Sequence, residues 1–305
     1  MQNRLRAHLT TWKAWYAVIA VPALIIGSTV VVLGGLAGSH GAEEMLSALL
    51  MPVQFIAIAA LALGAIALFA RKLPTVEDLG LRRGLSGRDA FVVLGVFAVT
   101  HLLFRLLAFV PVQDTDSATE IFAEMKLDGP LLPATVVVVA SLIGAPMCEE
   151  ILCRGAVLRP THDHLARGGR AGLGAVLGIL VSAVMFAFPH LGGSLTGVEA
   201  ISYLITGAAF GIVYVLTGSM TAAMIAHAPQ SWAAFGQVLV FGRGDAAVSP
   251  LIWVLALGCP LWVYLCARGL RALLPHDRRG AATTGGGAAA TNGPTAGGGG
   301  APDRR

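Results

Sequence analysis

Apolar residues in this chain gather in long blocks, and short clusters of arginine, acid, glycine and proline divide the blocks. A helix rises about 1.5 Å per residue, so about 20 apolar residues cross the roughly 30 Å hydrocarbon layer of a bilayer. Eight runs meet that requirement: 15–37, 46–70, 91–110, 131–158, 171–190, 198–216, 219–241 and 250–267. The pattern predicts an all-α polytopic membrane protein with about eight transmembrane helices. Between the third and fourth runs the acidic stretch 114–129 predicts a short surface helix. Basic residues precede the first run, as in a signal peptide. That run is too long for a cleaved signal and ends in no suitable small-residue site, so it reads as a retained helix.

Composition agrees with this pattern. Of 305 residues 56% are hydrophobic and 12% charged, whereas a soluble domain carries about a quarter charged residues to hydrate its surface. The cations also have a direction. With both termini in the cytoplasm, 18 of the 21 Lys and Arg residues fall on the inner side, while Glu43, Glu44, Asp114, Asp116, Glu120, Glu124 and Asp128 fall in outer loops. The net charge of +4 is then a matter of topology and lipid attraction and requires no nucleic-acid partner. The expected setting is an integral, multi-pass position in a lipid bilayer, the cell membrane if the source is bacterial, with both termini cytoplasmic. The last stretch, 275–305, is rich in Gly, Ala and Thr and cannot bury a core, so it is expected to be a disordered cytoplasmic tail. Four cysteines show neither disulfide-scaffold spacing nor a CxxC zinc signature and read as small membrane-buried thiols.

Ionisable residues at membrane depth are costly, about 2.5–3.5 kcal/mol on insertion scales, and are therefore functional candidates. The fourth run contains Glu149 and Glu150, with Arg154 one helical turn after Glu150 on the same face. Glu149 projects about 100° away and stays available as a general base. The fifth run ends in Phe186 and His190, and the seventh carries His227, Gln230 and Ser231.

Glu149, Glu150 and Arg154 match the EExxxR motif, Phe186 and His190 match FxxxH, and His227 matches the third-motif histidine of the CPBP intramembrane proteases, also called the CAAX protease or ABI family. The chain resembles that family over about 131–241. The resemblance implies an intramembrane endopeptidase related to the Ras-converting CAAX endopeptidase, hydrolysing a peptide bond of a membrane-associated peptide or protein. It makes 131–274, helices four to eight, the CPBP-like catalytic core, with helices one to three and the outer acidic loop in 1–130. By this analogy Glu149 and His190 activate water, Glu150 and Arg154 support them, and His227 stabilises the oxyanion. Where the family commonly has Asn four residues after that histidine, this chain has Ser231, which keeps one hydroxyl donor. One lost oxyanion donor typically costs 100- to 1,000-fold in rate. A catalytically weak or inactive member acting as a peptide-binding scaffold or immunity-type membrane protein is therefore the alternative reading.

Two versions of the chemistry stay open. Glu149, His190 and His227 form a set able to hold Zn²⁺ with an open coordination position. The same residues can run glutamate-dependent general-base catalysis without metal, which the Glu150–Arg154 pairing favours because it supplies its own electrostatics. Depth raises a conflict. If the fourth helix ends at Leu158, Glu149 lies about 14 Å deep, while His190, 19 residues from Ala171, lies about 28 Å deep. The glycines at 168, 169, 172, 174 and 178 suggest that the fifth helix enters the bilayer late. Other strings carry little. Gly84 to Gly87 matches the GxSG string of rhomboid proteases and Gly242 to Asp245 the GxGD string of aspartyl intramembrane proteases, but both fall in loops. His162 and His164 read as a solvated basic loop. Arg105, one turn after His101, is expected either to pair with a buried carboxylate, Glu149 and Glu150 being the candidates, or to snorkel.

Overall fold

The computed structural model describes residues 4–37, 43–82, 84–106, 115–191 and 197–276. Among the described residues every regular element is helical and no strand occurs. A 3₁₀ turn, Ala14–Ile19, leads into α1 (Ala20–Ala37), which packs on α2 (Glu43–Ala70). The single turn α3 (Val76–Leu79) precedes α4 (Gly87–Leu106), and α5 (Thr115–Glu124) is the short helix expected in the acidic stretch. The predicted tail from Gly280 lies outside the described residues.

The fourth run becomes one helical stretch, Leu131–Arg167. It comprises α6 (Leu131–Val139), a π segment (Ala140–Gly144), α7 (Ala145–Glu150), a second π segment (Ile151–Leu158) and α8 (Arg159–Arg167). After a turn come α9 (Ala171–Ala187), closed by the 3₁₀ turn Phe188–Leu191, then α10 (Gly197–Thr217) and α11 (Met220–Gln237), which continues as a π segment (Val238–Gly242). The last run breaks at Gly258 into α12 (Pro250–Leu257) and α13 (Cys259–Leu273), bent by 67°.

The chain is an integral multi-pass membrane protein. Five described stretches are long and apolar enough to cross a bilayer: Ala48–Ala70, Gly87–Leu106, Leu131–Arg167, Ala171–His190 and Ala200–Thr217. The bent pair makes a sixth. The seventh of the eight runs falls short of that test. For α11 the reason is its cargo of His227, Pro229, Gln230 and Ser231. A helix shielded from lipid by its neighbours, as the buried run from Met220 to Met224 shows, has no need of apolar composition throughout. On α9, by contrast, Val176, Leu180 and Val184 form an exposed stripe at a four-residue spacing, the lipid-facing side of a spanning helix.

Two expectations are corrected here. The glycine cluster does not interrupt the fifth helix: only Gly168 and Gly169 lie in a turn, Gly169 with φ 77°, while α9 runs unbroken through Gly172, Gly174 and Gly178. A Cβ at Gly174 would meet the backbone of His162 at 2.7 Å, and one at Gly178 would meet Leu158 at 3.2 Å. These two glycines let α9 approach the preceding helix closely.

His162 and His164 do not lie in a solvated loop, because α8 continues the helix through them. His162 is fully buried, its Nδ1 2.6 Å from Asp163 Oδ1. Asp163 Oδ2 also accepts from Arg159 Nε and from the backbone N–H of Thr10, both at 2.8 Å. Arg167 donates to the carbonyls of Thr10 and Trp12. This network ties the amino-terminal segment to α8, which is why polar residues continue a membrane helix at no net loss of satisfied hydrogen bonds.

Candidate active site

Gly174, Gly178, Ser182 and Phe186 of α9 and His190 of the turn that closes it follow one another at four-residue intervals, so that each lies about one turn beyond the last. Gly174 faces His162 and Gly178 faces Leu158, so the two helices run antiparallel in a register where paired residue numbers sum to a constant. That register brings Phe186 level with Glu150 and sets His190 about three residues, roughly 4.5 Å, beyond Glu149. The depth conflict disappears because the fourth helix does not end at Leu158. It continues to Arg167, which leaves Glu149 midway along the 37-residue stretch.

Arg154 is fully buried and held from three directions. Its Nη1 donates to Glu150 Oε1 at 3.0 Å, its Nη2 donates to the Gly207 carbonyl of α10 at 2.5 Å, and its guanidinium lies 5.4 Å from the ring centres of both Phe186 and Phe210. A buried cation is tolerable only with such pairing, and the two aromatic faces add cation–π attraction. Glu150, also fully buried, accepts a second hydrogen bond at Oε1 from His227 Nδ1 at 3.0 Å. Glu150 Oε2 and Arg154 Nε are buried with no hydrogen-bond partner among the described residues, a cost that structural sites rarely carry.

The bond to Glu150 assigns the proton of His227 to Nδ1 and turns Nε2 toward Glu149, whose Oε2 lies 3.7 Å away. Phe210 stacks on the imidazole at 4.5 Å and 23°, and Phe186 meets it edge-on at 5.5 Å, so the ring is held on both sides. Glu149 is the one acid of the pair left partly accessible, its side chain 23% exposed. It lines a cleft of about 410 Å³ together with Gln54 and Phe55 of α2, Cys148, Phe186 and Pro189. The arrangement is that of a carboxylate at a largely apolar cleft backed by an oriented imidazole and a buried ion pair.

The sequence-predicted residues therefore divide. Glu149, Glu150, Arg154, Phe186 and His227 come together. His190 stands at the rim: its Nδ1 bonds the Phe186 carbonyl at 2.9 Å and its ring stacks on Tyr203 at 4.2 Å. Ser231 lies one turn beyond His227 on α11, half-buried, and Gln230 lines a separate small pocket with Thr100, Thr206 and Phe210. Arg105 is exposed in the last turn of α4 and does not hold Glu149 or Glu150. Among the described residues no group of three or more His, Cys, Asp or Glu is placed to hold a metal ion.

Sequence reasoning missed Gly207, Phe210, Tyr203 and Gln54. A signal for one of them was present. Gly207 and Gly211 form a GxxxG pair on α10. A Cβ at Gly207 would lie 3.0 Å from Ala183 Cα and 3.1 Å from Phe186, so only glycine admits the contact that brings its carbonyl to Arg154.

Residues 131–233 match the family model described as type II CAAX prenyl endopeptidase Rce1-like. The matched stretch runs from the start of α6 to six residues past His227 and contains every side chain of the cluster. No curated protein and no solved structure matches the chain.

Proposed function

From the CAAX protease (CPBP) family assignment that this match supports, we propose that the chain is an intramembrane endopeptidase in which Glu149 is the general base. The family is a protease family, and its membrane setting implies a membrane-associated substrate. The observation that carries the residue assignment is the placement of His227 between the two glutamates, bonded to Glu150 and facing Glu149.

In the proposed reaction Glu149 takes a proton from water as the water oxygen attacks the scissile carbonyl carbon. The proton passes to His227 Nε2 once the 3.7 Å gap between them closes. The resulting imidazolium, its Nδ1–H held by Glu150, stabilises the oxyanion and then delivers the proton to the departing amine as the C–N bond breaks. Glu150 and Arg154 act through His227 by holding its ring. His190, about one turn beyond Phe186 and stacked on Tyr203, borders the site. Every proton in this scheme is accounted for by the chain's own residues, and none of its steps passes through a metal.

The test is cleavage of a membrane-tethered reporter by wild type, Glu149→Ala, His227→Ala and His190→Ala. Both Glu149→Ala and His227→Ala are expected to lose about 100- to 10,000-fold, with a smaller loss for His190→Ala. A loss at His190 as complete as that at Glu149, with His227→Ala active, would transfer the imidazole's role to His190. Activity unchanged in all three would sink the protease reading.

A further inference from the structure

Away from the glutamates, a cavity of about 540 Å³ is lined by Arg4, Arg82, Arg159 and Arg271 together with His8 and Glu77. We propose that it binds a singly charged phosphate diester, as carried by an anionic phospholipid headgroup.

The charges around it are unevenly spent. Arg159 is taken up by Asp163, and Asp78 by His8 and Lys72. Asp89 is buried and lies 3.9 Å from the guanidinium groups of both Arg4 and Arg82, too far for a hydrogen bond. Its Oδ1 has no hydrogen-bond partner among the described residues. One buried carboxylate thus holds two guanidinium groups in place by charge without using their N–H donors. Arg4 and Arg82 share the one carboxylate of Asp89, an excess of one positive charge, while Arg271 donates to the Leu81 carbonyl at the same cavity. A guanidinium pair with open forks suits a phosphate, which accepts two parallel N–H bonds from each arginine.

Position argues for a lipid as the source. Arg82 lies five residues before α4 begins, Gly218 follows the last residue of α10, and Arg271 is in the last turn of α13. The cavity therefore sits where three bundle helices end, at the level of the headgroups, where basic pockets between helices capture anionic lipids. Leu73, three residues before Val76 of the lining, and Leu273, two residues after Arg271, are 66% and 84% exposed, apolar side chains available to acyl chains.

The experiment uses the purified full chain in neutral detergent, titrated with dioleoylphosphatidylglycerol, dioleoylphosphatidylcholine or inorganic phosphate at matched ionic strength. Thermal midpoint and native mass spectrometry are the readouts. Phosphatidylglycerol is expected to stay bound at one per chain and to raise the midpoint, while phosphatidylcholine does neither. In Arg4→Gln/Arg82→Gln its retention should fall roughly tenfold or more, the loss expected for hydrogen bonds to a charged group, whereas Arg243→Gln should match wild type. Stabilisation by inorganic phosphate alone, lost in the double variant, would keep the phosphate site and assign its ligand to a soluble source. Equal retention of both lipids by wild type, with no phosphate effect, would overturn the proposal, as would undiminished phosphatidylglycerol binding by the double variant. Should the double variant fail to fold, displacement of phosphatidylglycerol from wild type by phosphate but not by matched chloride decides the matter.

Discussion

Glu150 Oε1 lies 3.0 Å from His227 Nδ1, and 77 positions of sequence separate the two residues. The same oxygen receives Arg154, so one carboxylate atom orients an imidazole and neutralises a buried cation together. Glu150 is thus taken up in holding Arg154 and His227, while Glu149 stays partly exposed at the cleft, a division that the adjacent numbers conceal.

Breaking the pair is expected to cost more than removing it. Glu150→Leu leaves Arg154 charged and buried, a loss of about 3–5 kcal/mol. The double change Glu150→Leu/Arg154→Met should recover more than half of that stability while cleavage stays lost, because His227 no longer has its acceptor. Thermal or denaturant unfolding in detergent, alongside the reporter assay, separates the two effects. Full recovery of cleavage in the double variant would contradict a positioning role.

Gly207→Ala places a Cβ 3.0–3.1 Å from Ala183 and Phe186 and should destabilise the protein by about 1–3 kcal/mol through overpacking. Gly95→Ala, on α4 with no atom within 4 Å of the added Cβ, is the control and should be neutral or slightly stabilising. Equal thermal midpoints for both variants would mean that α9 and α10 do not approach as described.

Ser231→Asn restores the amide donor that the CAAX protease family commonly has at this place. Turnover is expected to rise by up to about 100-fold, the lower value for one oxyanion donor, with little change in stability. A turnover unchanged or reduced would separate Ser231 from the oxyanion.

Outside the spans, burial alone would raise the Asp78 carboxyl, but bonds from His8 and Thr75 and the nearby charge of Lys72 outweigh it and hold it below its ordinary value. A folded value below the unfolded one, about 3.9, means that this stabilisation is fully present above that pH and is lost as pH falls through the folded value. The thermal midpoint should therefore drop below about pH 4, and Asp78→Asn should flatten that part of the profile. An identical acid profile in the variant would remove Asp78 as its source.

Chelation should leave cleavage intact if the proposed metal-free route operates. Activity lost in a chelator and restored by zinc would require Glu149, His190 and His227 to converge in a way this geometry does not show.

What the sequence by itself determined is local or periodic. Apolar blocks fix helices because every backbone polar group within a bilayer must bond inside its own segment. The Glu150–Arg154 pairing follows from a four-residue spacing, and the alignment of Phe186 with His190 follows from the same geometry. Tertiary structure decided the rest. Helix four ends nine residues later than hydropathy indicates, because Arg159, His162, Asp163 and Arg167 are satisfied by a distant segment, Thr10 and Trp12, that no local pattern reveals. That extension sets the register with α9 and so places Phe186 beside Glu150 and His190 beyond Glu149. The partners of Arg154 and His227 on α10, Gly207 and Phe210, and the pairing of His227 with both glutamates arise only where four helices meet, since a side chain's neighbours across a bundle depend on register and close approach, not on spacing along its own helix.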